Sequence, residues 1–292
     1  MSWNFAYDSP AAITALLNEA GLSMSRKFGQ NFLLSPQVRE RIVQALRLPD
    51  GGSVWEIGPG IGALTSLLVA GGYQVTAFEI DHGFCRLLRD RAFGDDANFR
   101  LVEGDVLKTW EAVFAADGLP DRICGNLPYN VGSVCIARLL EEQCLPQRMV
   151  YTLQKEVADR LCASFGDKDW SSFTILARID YEVELLFSIR SGAFYPAPNV
   201  TSAVIGMQKR AVPLVPSDLR PVFMPMVKDL FAQRRKTVKN NLQQGKLGSR
   251  IGKMGVDELL SSCEVPANER AEQLDIPVLL RLAEKARTLF QR

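Results

Sequence analysis

From Ser53 onward, short runs rich in β-branched and aromatic residues alternate with stretches of helical periodicity. That alternation is the mark of a mainly parallel sheet with helices on both faces. VWEI (Val54 to Ile57), YQVTAFEI (Tyr73 to Ile80) and FRLVE (Phe99 to Glu103) read as the first three strands, followed by Arg122 to Cys124 and RMVYTL (Arg148 to Leu153). Helices are predicted over Ala63 to Ala70, Gly83 to Arg91, Ser133 to Glu142 and Lys155 to Ala163. YEVELLFSI (Tyr181 to Ile189) and SAVIGMQK (Ser202 to Lys209) read as two late strands that can form a hairpin. Two helices are predicted ahead of the sheet, over Pro10 to Glu19 and Pro36 to Leu46. Ser35 followed by Pro36 is a start signal, a capping side chain ahead of a proline at the first helical position. The proline-rich stretch VPLVPSDLRP, Val212 to Pro221, interrupts the periodicity before helical patterning resumes. It sets the expected boundary between a catalytic domain, residues 1–211, and a helical domain, residues 212–292.

Composition narrows the class. With 47% hydrophobic and 23% charged residues, the 292-residue chain has the makeup of a globular protein with ample core. No apolar run approaches the roughly 20 residues of a membrane span. The N-terminus MSWNFAYDSP lacks the charged and apolar regions of a signal peptide, so the expected location is cytoplasmic, with no membrane partner. The six cysteines form no CxxC pair and fall mostly inside apolar runs, which predicts reduced, buried thiols. A single histidine, His82, speaks against a zinc site or an imidazole-based triad, so no metal is expected; His82 itself is read as beginning a helix after Asp81. The net charge of +1 conceals a split. Seven basic residues and no acidic one lie between Phe231 and Lys253, which leaves −6 for the remainder.

The candidate chemistry sits at strand ends. EIGPGIG (Glu56 to Gly62) follows the first strand, and its glycines at 58, 60 and 62 allow a sharp turn and a close ligand approach. The spacing differs from the GxGxxG that seats a pyrophosphate, so a ligand without phosphates is preferred. Glu79, ending the second strand, is placed to accept from both hydroxyls of a ribose. Asp105, in EGDV after the third strand, is placed to accept from an adenine amine. Together with Gly58 and Gly60 they describe an adenosine pocket.

GNLPYN (Gly125 to Asn130) closes the fourth strand, because Pro128 has no N–H to continue a ladder. The N6 amine of adenine is a poor nucleophile, its lone pair being delocalised into the ring. Two acceptors taking its N–H bonds would localise that pair, and the Asn126 side-chain oxygen with the Leu127 carbonyl suit the task. Pro128 fixes the turn that aims them, and Tyr129 would stack on the purine face. S-adenosylmethionine is the expected electrophile, since its activated methyl needs no metal and no strong base.

These residues resemble the ribosomal RNA adenine N6,N6-dimethyltransferase family. The similarity runs through KFGQNFL (Lys27 to Leu33), EIGPGIGALT (Glu56 to Thr65), Glu79, GDV (Gly104 to Val106), GNLPYN, LQKEV (Leu153 to Val157), FYPAPNVTSAV (Phe194 to Val204) and QRRKT (Gln233 to Thr237). The resemblance implies an α/β class I S-adenosylmethionine-dependent methyltransferase: a Rossmann-like, mostly parallel seven-stranded sheet with a last antiparallel strand, then a small all-α C-terminal domain. It implies that Asn31 and Leu33 close over the cofactor, supported by Gln30, with Gly58, Glu79, Asp105 and Asn126 completing the site. It places Phe194 opposite Tyr129 across the target base. Family members dimethylate two adjacent adenosines in the 3′-terminal hairpin loop of 16S rRNA, late in small-subunit assembly, so the implied partner is a small ribosomal subunit precursor. One departure is WSSFT (Trp170 to Thr174), where a Tyr-Gly-Xaa-Leu-Ser pattern is expected and the helix start can differ.

The charge split fits RNA. Arg234, Arg235, Lys236 and Lys239 would grip the rRNA backbone, with 235 and 239 sharing a face if the segment is helical. The target base must then be presented from a loop or splayed strand. A 23S rRNA dimethyltransferase of the macrolide-resistance type shares the glycine loop and the NxPY element, although QRRKT and the long C-terminal domain lean away from it. A third reading makes the protein mainly an assembly factor that holds an immature small subunit. A monomer is the default expectation.

Overall fold

The computed structural model describes residues 3–22, 31–129 and 131–290. Contacts divide the chain into two compact units, Met1–Ala158 with Glu182–Lys209, and Asp159–Tyr181 with Arg210–Arg292.

The first unit is built on a seven-stranded sheet. A short strand β1 (Phe32–Leu33) precedes it; then come β2 (Ser53–Ile57), β3 (Gln74–Glu79), β4 (Phe99–Glu103), β5 (Arg122–Asn126), β6 (Arg148–Gln154) and β7 (Tyr181–Ile189), the short β8 (Phe194–Tyr195) and β9 (Ser202–Lys209). The order across the sheet is β4-β3-β2-β5-β6-β9-β7. Pairing is parallel from β4 through β6, and β9 runs antiparallel to β6. The expected late antiparallel strand is therefore β9, inserted between β6 and β7. Burial follows position: in central β6 every residue from Arg148 to Leu153 is buried, whereas β7 at the margin is largely open. Successive strands step outward in one direction from β2 and in the other from β5. Their carboxyl ends thus frame the crevice where an open α/β sheet takes its ligand. Gly125 permits the two ends to come together, since a Cβ there would lie 2.6 Å from the Ile57 carbonyl oxygen.

Helices Pro10–Glu19 and Pro36–Ala45 stand where the sequence places them. Ser9 and Ser35 each accept a backbone N–H of the first turn, and both helices carry proline there. Helix His82–Leu87 begins at the histidine, with Asp81 accepting from the amides of Gly83 and Phe84 at 2.8 and 3.2 Å. An additional helix, Val106–Asp117, follows β4 directly, with Asp105 as its cap. β1 and β8 pair antiparallel as a separate two-stranded sheet, Phe32 opposite Tyr195 and Leu33 opposite Phe194.

Among its described residues the second unit contains no strand residue apart from Tyr181, the first of β7, and it has its own apolar core, in which Phe223, Val227, Leu259 and Leu282 are completely buried. The expected boundary after 211 lies close to the observed division at Lys209, but residues 1–211 are not one unit. Asp159–Tyr181 belong with the C-terminal helices because Trp170, Ile175 and Ile179 are part of that core. The Trp170 indole donates to the Leu274 carbonyl at 3.1 Å. The WSSFT departure thus has a structural role: Trp170 fills the core and Ser171 caps helix Ser172–Asp180. Cys85, Cys124, Cys135, Cys144 and Cys263 are buried free thiols, and Cys162 is half-buried. Among the described residues no helix is long and apolar enough to cross a membrane.

Candidate active site

A cleft of about 480 Å³ opens at the carboxyl ends of β2, β3 and β5. Its wall includes Asn31, Leu33, Gly58, Gly60, Glu79, Asp105, Asn126, Leu127 and Pro128, so the structure gathers residues from five stretches of sequence into one site.

The glycine loop is held from beneath by Glu79. One carboxylate oxygen accepts the Gly60 N–H at 3.0 Å and the other the Asp81 N–H at 2.9 Å. Gly60 sits at φ +58, in the left-handed region that favours glycine, which is how its N–H turns back toward β3. Each carboxylate oxygen retains further acceptor capacity, so holding the loop does not exclude holding a ribose. Asp105 spends one oxygen on the Leu107 N–H at 3.0 Å as helix cap.

Glu56, which sequence reasoning did not single out, also lines the cleft and is 2% exposed. Burial pushes its carboxyl up to about 7; the Thr65 hydroxyl, donating at 2.7 Å, opposes this and the neighbouring Glu79 charge adds to it. Glu79 is raised as well, by burial first, against the stabilising amides of Asp81 and Gly60. Two buried carboxyls at one cavity attract a cationic ligand, because a cation offsets the cost of their ionised forms. The apolar remainder of the wall includes Phe32, Ile80, Val106, Val131 and Val134. Ile80, Val131 and Val134 are 47%, 45% and 54% exposed, an apolar mouth open to a flat ring. This lining fits S-adenosylmethionine: carboxylates for its hydroxyls and positive charge, apolar side chains for its adenine. Cys135 is the thiol in the wall, and burial pushes it up to about 12, which disfavours a thiolate nucleophile there.

Asn126 closes β5, opposite Thr152 of β6. Its side-chain amide donates to the Asn31 carbonyl at 2.8 Å. Because a carbonyl only accepts, this bond assigns Nδ2 to Asn31 and leaves Oδ1 as the accepting end. The Leu127 N–H donates to the Thr152 carbonyl at 3.2 Å, and the Pro128 carbonyl accepts from Val131 and Gly132 at 3.1 and 2.9 Å. The NLPY turn is thereby pinned between β6 and the helix Gly132–Glu141.

Tyr129 is half-buried beside this turn and outside the cleft wall, its hydroxyl in a short hydrogen bond with Ser202 at the start of β9. Phe194 is not in the cleft. It is 2% exposed, within an apolar cluster that contains Leu33, Ile42 and Val204. Gln30 lies outside the described residues.

The four basic candidates divide. Arg234, Arg235 and Lys236 occupy a turn between helices Arg220–Leu230 and Val238–Gln244, so the shared helical face expected for 235 and 239 does not form. The second helix starts only at Val238, where Thr237 accepts the Asn240 N–H. Arg234 donates to the Lys168 carbonyl at 2.5 Å and pairs with Glu272 at 3.6 Å, and Lys239 pairs with Asp257 at 2.7 Å. Arg235 and Lys236 are exposed.

Residues 21–284 match the family model described as Ribosomal RNA adenine dimethylase. The chain belongs to the ribosomal RNA adenine dimethylase family. Proteins named Ribosomal RNA small subunit methyltransferase A are similar over nearly their whole length. The one from Treponema pallidum (strain Nichols) is 41% identical over 288 residues, 97% of this chain and 98% of its own. The one from Treponema denticola is 39% identical over 280 residues, 95% and 94% of the two chains. The crystal structure of a dimethyladenosine transferase from Plasmodium falciparum has the same fold, with a TM-score of 0.73 at 21% identity over 87% of this chain and 97% of that one. This adenine dimethylase is thus an rRNA-modifying methyltransferase built on the class I sheet. Of the cleft residues given no role from the sequence, Glu56 has a signal: a carboxylate inside the otherwise apolar VWEI.

Proposed function

We propose that this adenine dimethylase transfers methyl groups from S-adenosylmethionine to N6 of two adjacent adenosines in the 3′-terminal hairpin loop of 16S rRNA, on a small-subunit precursor in the cytoplasm. The observation that carries the reading is the orientation of Asn126. With Nδ2 committed to Asn31, Oδ1 is available to accept one N–H of the target amine, and the Leu127 carbonyl is the second acceptor. Similarity over 94–98% of the length of relatives named for the small subunit supports the 16S substrate over the 23S one.

S-adenosylmethionine supplies, when bound, a methyl on a positive sulfur with a neutral thioether as leaving group. The protein's part is to bind, orient and polarise. Glu79 and Asp105 take the hydroxyls and the adenine amine of the donor. Asn126 and Leu127 draw the two N6 protons into hydrogen bonds, so the nitrogen lone pair points out of the purine plane. An amide oxygen accepts the N–H as a hydrogen bond without acting as a base, and the proton released once the new N–C bond has formed passes to water. After the first transfer one N–H remains, and a single acceptor suffices for the second. Tyr129, steadied by Ser202, offers a face to the purine, and Phe194 reaches the opposite face only by leaving its apolar cluster. Arg235 and Lys236 supply phosphate contacts from an exposed turn.

Methyl incorporation into purified subunits from a strain lacking these modifications tests the reading. Label in small-subunit rRNA, with a primer-extension block restored at the 3′ hairpin, is the expected result. Label confined to large-subunit rRNA would overturn it.

A further inference from the structure

The N-terminal segment is packed behind the wall of the cleft. Tyr7, Ile13, Leu16 and Leu17 share one apolar cluster with Phe32, Ile61, Ala63 and Phe84. Those last four also line the cavity, so the N-terminal segment and the cleft wall belong to one packed cluster. Tyr7 is the polar fastening of this arrangement. It is 5% exposed, its hydroxyl accepts from the Trp3 indole at 2.8 Å, and the Ser66 side chain is its neighbour. Ser66 follows Thr65, whose hydroxyl holds the buried Glu56. The Arg39 guanidinium lies 5.2 Å from the Tyr7 ring centre. At the other end of the segment, Leu22 covers Gly83, where a Cβ would come within 2.2 Å of its Cδ2; Gly83 lies in the first turn of the helix that follows β3.

We infer that Tyr7, which touches neither donor nor base, is a positioning residue for the donor: it locks the glycine loop and the helix behind it in the shape that receives the ligand. A loop fixed in advance loses little conformational freedom on binding, whereas a loop with no ring behind Ile61 and Ala63 must be ordered at the ligand's expense. The inference rests on the cleft being the S-adenosylmethionine site. It assigns the N-terminal segment to donor affinity and not to RNA contact.

Calorimetry with S-adenosylmethionine on the full chain tests it, alongside steady-state kinetics. Tyr7→Ala is expected to raise the donor Kd about tenfold, equivalent to about 1.4 kcal/mol. The donor KM should rise by the same factor, with kcat at saturating donor and the KM for RNA within about twofold of native. Tyr7→Phe, which keeps the ring, should recover most of the affinity. Ile189→Ala, a cavity on margin strand β7, controls for lost stability and should leave the donor Kd unchanged. If Tyr7→Ala does not fold, Tyr7→Leu is read by the same criteria. A native Kd in the Tyr7 variant, or an equal rise in Ile189→Ala, overturns the inference while the cleft keeps its ligand. A native chain that binds no donor overturns the reading of the cleft itself, and this inference with it.

Discussion

The side chain of Asn126 and the backbone carbonyl of Asn31 are joined by a 2.8 Å hydrogen bond across 95 residues of sequence. The bond decides which end of the amide faces a substrate. Asn126→Ala removes the acceptor, and kcat should fall by on the order of 10²-fold or more while rRNA affinity stays within about twofold. Asn126→Asp keeps an acceptor but cannot donate to Asn31, so its carboxylate is repelled by that carbonyl. It should lose activity nearly as fully. Single-turnover methyl transfer with subunits as substrate reads both, and full activity in either variant would refute the role given to the amide.

Glu79 holds the glycine loop through the Gly60 N–H and the end of β3 through the Asp81 N–H. Glu79→Ala leaves both amides without their charged acceptor, at about 1.5–3 kcal/mol for such bonds. Donor affinity should therefore weaken by at least tenfold, measured by calorimetry, with rRNA affinity retained.

Glu56 gives the donor-free protein a pH dependence of determined sign. Its pKa is raised from 4.5 to about 7 by burial, so its contribution to stability is fully present below pH 4.5 and is lost as pH rises through about 7. The loss amounts to about 3 kcal/mol from the size of that shift. Glu56→Gln, which cannot ionise, should be more stable than native at pH 8 and show a flatter profile between pH 5 and pH 8 in urea unfolding. A native-like slope in that variant would remove Glu56 as its source.

How much of this was legible beforehand varies with the kind of signal. Strands such as VWEI and RMVYTL announce themselves by composition, and both appear within a residue or so of their expected bounds. Gly58, Glu79, Asp105 and Asn126 were legible because strand ends are where open sheets bind ligands, and all four line the cleft. The β1–β8 pairing was not, since two-residue strands have no period to detect. The helix Val106–Asp117 went unassigned although Asp105, its cap, was read for another purpose. The excursion of Asp159–Tyr181 into the second unit is a long-range packing choice made by Trp170 and its neighbours, which linear reading of a boundary cannot register. For QRRKT the misleading cue was charge density; Thr237, a capping residue three positions before Asn240, marked the true helix start.

The turn also orders the basic residues by expected effect on RNA. Arg235→Gln with Lys236→Gln should lower the slope of log affinity against log salt by between about 1 and 2. Arg234→Gln should change it by less than half as much, because that side chain already pairs with Glu272 and binds the Lys168 carbonyl. Filter binding of a 3′-hairpin rRNA across a salt series measures both. Equal effects per charge removed would mean that the Glu272 pairing opens on RNA.

Because Trp170 is anchored to Leu274, the protein cannot be divided by a single cut. A fragment stopping at 211 would carry an orphaned strip of hydrophobic helix, Ile175 and Ile179 included, stripped of the partners that shield it. Such a fragment would be sticky and prone to precipitate even if its donor cleft formed perfectly, and inactivity in it would say nothing about chemistry. A separable catalytic half would need a short linker spliced in place of residues 159–181 as well as the C-terminal truncation.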